Sequence, residues 1–279
     1  MEVTQVAAKA LLGGALVVGF ALLAETLSPK RFAGVFAAAP SVALASLVMT
    51  VVFDGSADAR RACLGMSVGA VGFAVYALLA PPTMRRLGPL RGSVTALVAW
   101  FVAVAALLPL ALLLPAAKAA SGSVFASAVG ASPAWLRPKR GRAPRLHLDA
   151  GKIGEASVRE MVVRFGFGAA TSALAGVVSV LAGPSIGGVF LAFPAILLAS
   201  LTLVADEEGR GKARDEARGA AAGALGLIAF AVVGAVLFSH EVSALAFVMM
   251  SLAWILTGVG SYLLAWRAGY GADEPQPRT

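Results

Sequence analysis

Ionisable side chains are scarce in the apolar stretches of this sequence, so the few that occur are the first candidates for chemistry. Lys9 precedes the pair Gly13-Gly14, Glu25 lies near the end of the same apolar run, and Arg164 precedes Gly168 in a second run of similar composition. An ionisable group within a membrane span is costly and is retained for a binding site, a proton relay or a partner. Each residue also has a plainer expectation. Glu25 is an interfacial carboxylate near Lys30 and Arg31, Arg164 follows Glu160 in the favourable acid-before-base order, and Lys9, with no acid four residues earlier, snorkels to the inner face. Asp206, Glu207 and Glu208 are followed by Arg210, Lys212 and Arg214, which predicts a self-paired loop rather than a divalent-ion site. Cys63 is the one cysteine, and His147 and His240 are far apart, so neither a disulfide framework nor a Cys/His metal spacing is present. No nucleophile elbow, phosphate-binding glycine loop or aspartyl pair occurs. The expectation is a protein that is not an enzyme, with no catalytic residue, metal or cofactor.

The elements that hold these residues follow from composition. A chain of 279 residues that is 59% hydrophobic, 14% charged and has a mean hydropathy of +0.84 carries more apolar surface than one soluble core can bury. The excess must face a lipid bilayer. Eight runs of roughly 20 residues match its thickness, near 6–26, 33–53, 63–82, 93–115, 161–182, 186–204, 219–239 and 242–266. They do not alternate as barrel strands would. The fold class is therefore an all-α polytopic membrane protein of about eight transmembrane helices. The first run has the flanks of a signal peptide, but it is the partner of the run beginning at Arg164, so it is retained as a span.

The chain writes one phrase twice. GVFAAAPSVALAS begins at Gly34 and GVFLAFPAILLAS at Gly188. With Pro40 aligned to Pro194, identities fall at Gly34, Val35, Phe36, Ala38, Pro40, Leu44, Ala45, Ser46 and Leu47; further on, Asp58, Arg61, Gly69 and Phe73 meet Asp215, Arg218, Gly226 and Phe230. Two homologous four-helix units result. Four being even, both are expected the same way up, as parallel repeats about an axis along the membrane normal. At helical spacing the phrase presents a small face, Gly34, Ala38, Ser41 and Ala45, matched by Gly188, Ala192, Ala195 and Ala199. Small residues let helix backbones approach in lipid, so this reads as a packing seam, flanked by the bulky Phe36 and Phe190. Pro40 and Pro194 lack the N–H that would bond the carbonyls of Phe36 and Phe190, which predicts a kink and a free acceptor close to the midplane. Paired breaks at that depth also mark binding sites in transporters. Gly34, Phe36, Ala38, Pro40, Gly188, Phe190, Ala192 and Pro194 are thus a candidate midplane site or a packing seam.

The formal charge of +8 reports orientation rather than nucleic acid. With both termini cytoplasmic, most basic residues fall inside, giving a multi-pass protein of the bacterial inner membrane with N and C termini cytoplasmic. The expected division is a first membrane repeat over 1–117, a basic cytoplasmic linker over 118–155, a second membrane repeat over 156–267 and a cytoplasmic tail over 268–279. In the linker, Arg137, Lys139, Arg140, Arg142 and Arg145 are placed either to rest on anionic lipid or to serve as a solvated connector.

The first unit, with AKALLGGALVVGFALLAE, RFAGVFAAAPSVALAS and DARRA, resembles the GlpM-like family of small bacterial four-helix inner-membrane proteins, and both units resemble a related uncharacterised bacterial membrane family. The likeness rests on Lys9, Gly13, Gly14, Gly34, Pro40, Arg60 and Arg61, and on Arg164, Gly188, Pro194 and Arg218 in the second unit; Gly168-Ala169 departs from the glycine pair. The resemblance implies an envelope role connected with exopolysaccharide production. Two functions fit: a transporter-like permease for a small molecule or envelope precursor, with a midplane site between the repeats, or a non-transporting accessory protein partnered by envelope-biogenesis proteins.

Overall fold

The computed structural model describes residues 3–113, 147–148, 157–240 and 243–267. The structure is helical, and eight of its segments are long and apolar enough to cross a membrane. The first unit comprises α1 (Val3–Thr26), α2 (Lys30–Ala37), α3 (Ser41–Phe53), α4 (Ser56–Leu87) and α5 (Pro89–Leu113). The second comprises α6 (Val158–Ala182), α7 (Pro184–Val189), α8 (Ala195–Glu207), α9 (Arg210–Leu237) and α10 (Ser243–Ala265). In each unit the second span is broken, so that α2 with α3, and α7 with α8, form one crossing each. Two-residue strands β1 (Leu27–Ser28) and β2 (His147–Leu148) pair antiparallel. Gly55 and Gly209 open α4 and α9 at φ of 89° and 93°, a conformation in which a Cβ is strained, so these matched turns require glycine.

The two units run in opposite directions, which corrects the parallel arrangement expected from an even number of spans. At one end of the α1–α6 pair Gly176 faces Lys9, in the middle Gly13 meets Ser172, and at the other end Glu25 meets Arg164. Residue numbers rise along one helix as they fall along the other, so the first helices of the two units are antiparallel. The third spans behave alike, because Gly234 near the end of α9 lies against Cys63 near the start of α4. By contrast, α2 runs with α9, Arg31 lying on Gly219 and Val35 on Gly223, while α7 runs with α4, Ser185 lying on Gly65 and Val189 on Gly69. The same contacts occur twice with the roles of the units exchanged. The pseudo-two-fold axis therefore lies in the membrane plane. Counting helices within one unit did not reveal this: α5 leaves at the end where α1 starts, whereas β2 pairs beside the end of α1.

It follows that the start of α1 and the end of α10 lie at opposite ends of the bundle, Tyr262 on α10 packing on Phe32 with ring centroids 5.2 Å apart. They cannot both face the cytoplasm. The third span is also longer than expected, running to Leu87, and carries Pro81 and Pro82 in its last turns. The linker of 118–155 lies outside the described residues except for β2, as do the tail and the basic residues from Arg137 to Arg145.

The small-residue phrase has a physical job in this arrangement. A methyl on Gly34 would collide with the Glu216 carbonyl of α9, and one on Gly188 with the Ala62 carbonyl of α4. Each copy of the phrase thus seats its helix against the third span of the other unit. The core centres on this contact, where Leu47, Met66, Leu197, Phe230 and Met250 are fully buried, and Trp100 on α5 is closed in by its N–H donating to the Gly69 carbonyl at 3.1 Å.

Candidate functional site

Both prolines are buried and both stop a helix. Pro40 has φ −77° and ψ 40°, Pro194 φ −78° and ψ 31°, and each is followed by a new helix whose first bond is accepted by its own carbonyl, from Leu44 at 2.7 Å and from Leu198 at 2.9 Å. The acceptors expected to be free are satisfied. Ala39 donates to the Phe36 carbonyl at 3.0 Å and Phe193 to that of Phe190 at 3.1 Å, because the chain tightens into a turn before each proline instead of merely bending. Each proline lies about ten residues into its span, roughly 15 Å at 1.5 Å per residue, from opposite ends of the bundle. The breaks therefore meet near the midplane, where Ala37, Ala38 and Ala39 face Leu191, Ala192 and Phe193 across an apolar gap of about 20 Å³.

Beside the first break a second cavity opens toward the end of the bundle that holds Thr26. Val17, Phe20 and Glu25 of α1, Phe36 and Ser41 around the first break, Arg164 of α6, Ile196 and Ser200 of α8, and Glu216 of α9 line it. Its volume of about 30 Å³ is enough to hold water. The apolar floor rests against Ser41 and Ile196, just beyond Pro40 and Pro194. The rim is charged.

Of the three candidate intramembrane charges, two meet in this cavity. Arg164 Nη1 lies 2.5 Å from Glu25 Oε1, and both side chains are largely buried. This replaces the expected pairings of Arg164 with Glu160 and of Glu25 with Arg31, since antiparallel packing brings the start of α6 beside the end of α1; the Lys30 side chain lies outside the described residues. Glu160 instead caps α6, accepting the Ser157 hydroxyl at 2.9 Å while its own N–H donates to Ser157 at 3.2 Å. Arg31 reaches across the units to Asp215 at 2.7 Å, which also holds Arg218 at 3.0 Å. Lys9, expected to snorkel, is 3% exposed and pairs with Asp54 at 3.5 Å at the opposite end.

Of the seam residues, Gly34, Ala38, Gly188 and Ala192 lie in the contacts between units and the gap at the breaks, Phe36 lines the second cavity, and Phe190 packs at the flank. Phe36 packs edge-on against Trp254 at 5.5 Å, and Phe190 lies tilted against Trp100 at 6.1 Å. Two site residues escaped the sequence reading. Ser200 donates to Glu216 at 2.5 Å, and Glu216 is 4% exposed. The repeat carries the missing signal: aligning Asp58 with Asp215 sets Glu216 against Ala59, a carboxylate in one copy only. Ser46, the counterpart of Ser200, has no hydrogen-bond partner for its buried hydroxyl.

A family model described as a protein of unknown function (DUF3147) matches the chain twice, over residues 7–111 and 161–266, one match to each four-helix unit. No curated protein and no solved structure matches it.

Proposed function

The chain belongs to the DUF3147 family, and we propose that it is a transporter-like permease of the bacterial inner membrane whose site is the cavity beside the two broken spans. The observation that carries this reading is the pairing of inverted units with helix breaks at matched prolines near the midplane. In that architecture one unit can rock against the other about a fixed site, and non-helical backbone at membrane depth is tolerated where it is buried or lines a cavity.

The same reading includes an orientation. The end that holds the cavity carries Arg31, Arg85, Arg86, Arg91, Arg159, Arg164, Arg210, Lys212, Arg214, Arg218 and Arg267; the other end carries Lys9, Arg60 and Arg61 among the described residues. Basic residues near span ends stay cytoplasmic. The cavity thus opens to the cytoplasm, α1 starts outside and α10 ends inside.

A second reading, an accessory protein of envelope biogenesis that transports nothing, is favoured by the cavity's small volume. Cysteine access separates the two. In a C63A background, S41C and I196C are exposed to a membrane-impermeant thiol reagent in sealed vesicles of both orientations. Transport requires labelling from at least one face, the basic face in this conformation. Protection from both faces would remove the permease reading and leave the seam as packing.

A further inference from the structure

We propose that the turn joining α4 to α5 binds one anionic phospholipid, its headgroup phosphate held by Arg85, Arg86 and Arg91 and its acyl chain lying along the outer face of α5. The proposal goes beyond the permease reading and is independent of whether anything is transported, because it concerns the lipid-facing surface and not the cavity.

Depth and charge come first. Arg61 and Arg85 both lie on α4, and the helix advances about 36 Å between them at 1.5 Å per residue, which exceeds a hydrocarbon layer about 30 Å thick and leaves Arg85 at the level of the headgroups. Arg85 and Arg86 stand in the last turn of α4, Arg91 in the first turn of α5, and all three are exposed. Among the described residues none of the three has an ion-pair partner, and the acids Asp206, Glu207 and Glu208 at the end of α8 do not pair with them. The turn itself is tightly closed. Thr83 donates to the Gly92 carbonyl at 2.8 Å, and a methyl on Gly92 would come within 2.4 Å of the Met84 nitrogen, so the two helices touch backbone to backbone beside the arginines. Stems fixed in this way lower the ordering cost of holding a phosphate between guanidinium groups.

The surface below the arginines selects a lipid over a free phosphate. The outer face of α5 reads Leu90, Val94, Val98, Phe101 and Val102, each exposed, at spacings of three and four that make one apolar stripe from the turn toward the midplane. An acyl chain joined to a phosphate at the turn falls along this stripe. The other basic group at this end has no such surface: Arg210 and Lys212 open α9, and from Lys212 to Ala235 no residue of that helix is exposed, because other helices enclose it. The corresponding turn of the second unit, between α9 and α10, contains no arginine or lysine, so closing the helix pair does not itself call for them. The rival role for the three arginines is orientation alone.

The test titrates the full chain in a neutral detergent with phosphatidylglycerol, or with phosphatidylcholine of the same acyl chains, and counts retained lipid by native mass spectrometry. In a micelle orientation has no bearing. Phosphatidylglycerol is expected to bind roughly a hundredfold more tightly, about fivefold for each arginine. R85Q, R86Q and R91Q should each weaken it by that factor and the triple variant should bind both lipids alike, while R60Q with R61Q at the opposite end changes nothing. Glycerol phosphate, a head without a chain, is not expected to displace the lipid. The location is read with every arginine intact: in a C63A background, a fluorophore on V94C should be quenched in vesicles by brominated phosphatidylglycerol at a mole fraction at least about tenfold lower than by brominated phosphatidylcholine, whereas one on V248C of α10 responds to both alike. Equal binding of the two lipids, a preference that survives the triple substitution, or quenching at V94C that ignores the headgroup overturns the proposal and leaves the arginines to orientation; displacement by glycerol phosphate overturns it in favour of a free phosphate.

Discussion

Glu25 and Arg164 are ion-paired although each stands near the opposite terminus of its own helix, Glu25 close to the end of α1 and Arg164 close to the start of α6. Only antiparallel packing of those helices permits this. In a cysteine-free background, E25C with R164C is expected to cross-link under mild oxidation, whereas K9C with R164C is not. Cross-linking of the second pair alone would restore the parallel arrangement.

The pair also predicts an energetic asymmetry. Removing one partner, as in E25A, leaves a largely buried guanidinium unpaired and should destabilise the protein by about 3 kcal/mol, while E25A with R164A recovers most of that loss. Thermal unfolding in a single detergent reads both. Equal damage in the single and double variants would show that the pair is solvated.

The seam predicts where added volume is harmful. G34A and G188A drive a methyl into a backbone carbonyl that cannot move aside as a side chain would, and each should lower stability by about 2 kcal/mol. Gly19 has nothing within 4 Å of its missing Cβ, so G19A is expected to be neutral or slightly stabilising under the same assay.

Orientation is read by four exposed positions. R61C and H240C are expected to react with an impermeant reagent from outside intact cells, and R86C and G211C only in inverted vesicles. If R61C instead shares a side with G211C, the units are parallel.

The prolines can be separated from the seam they adjoin. P40A restores an N–H able to continue the helix, so α2 and α3 should join into one rod. Access to S41C from the basic face is then expected to fall at least about fivefold, with the G34-dependent stability unchanged. Undiminished access would place the opening elsewhere.

The spans, the four-helix units and the seam were legible in the sequence because each rests on a local pattern: length of apolar run, identity between copies, and small residues at helical spacing. Their relative direction was not, since it depends on how the chain travels between Leu113 and His147, and composition alone suggested only a basic loop there. The partner of Arg164 was hidden for the same reason; Glu160 was near in sequence, Glu25 near in space. Glu216 differed in kind. It was visible as the unmatched neighbour of the matched Asp215, but an acid in a charge-rich stretch invites a solvated reading until the α2 backbone is seen lying over it.

The inverted units set a problem for biosynthesis. Two segments that share the GVF phrase must enter the bilayer facing opposite ways, although the hydrophobic signal is the same in both. The difference is written in the turns before their third spans: Asp54 to Arg61 is modestly charged, whereas Asp206 to Arg218 is dense in basic residues that resist translocation. Exchanging those two turns would therefore be expected to leave every helix intact and yet mis-thread the chain, producing a protein whose halves can no longer meet.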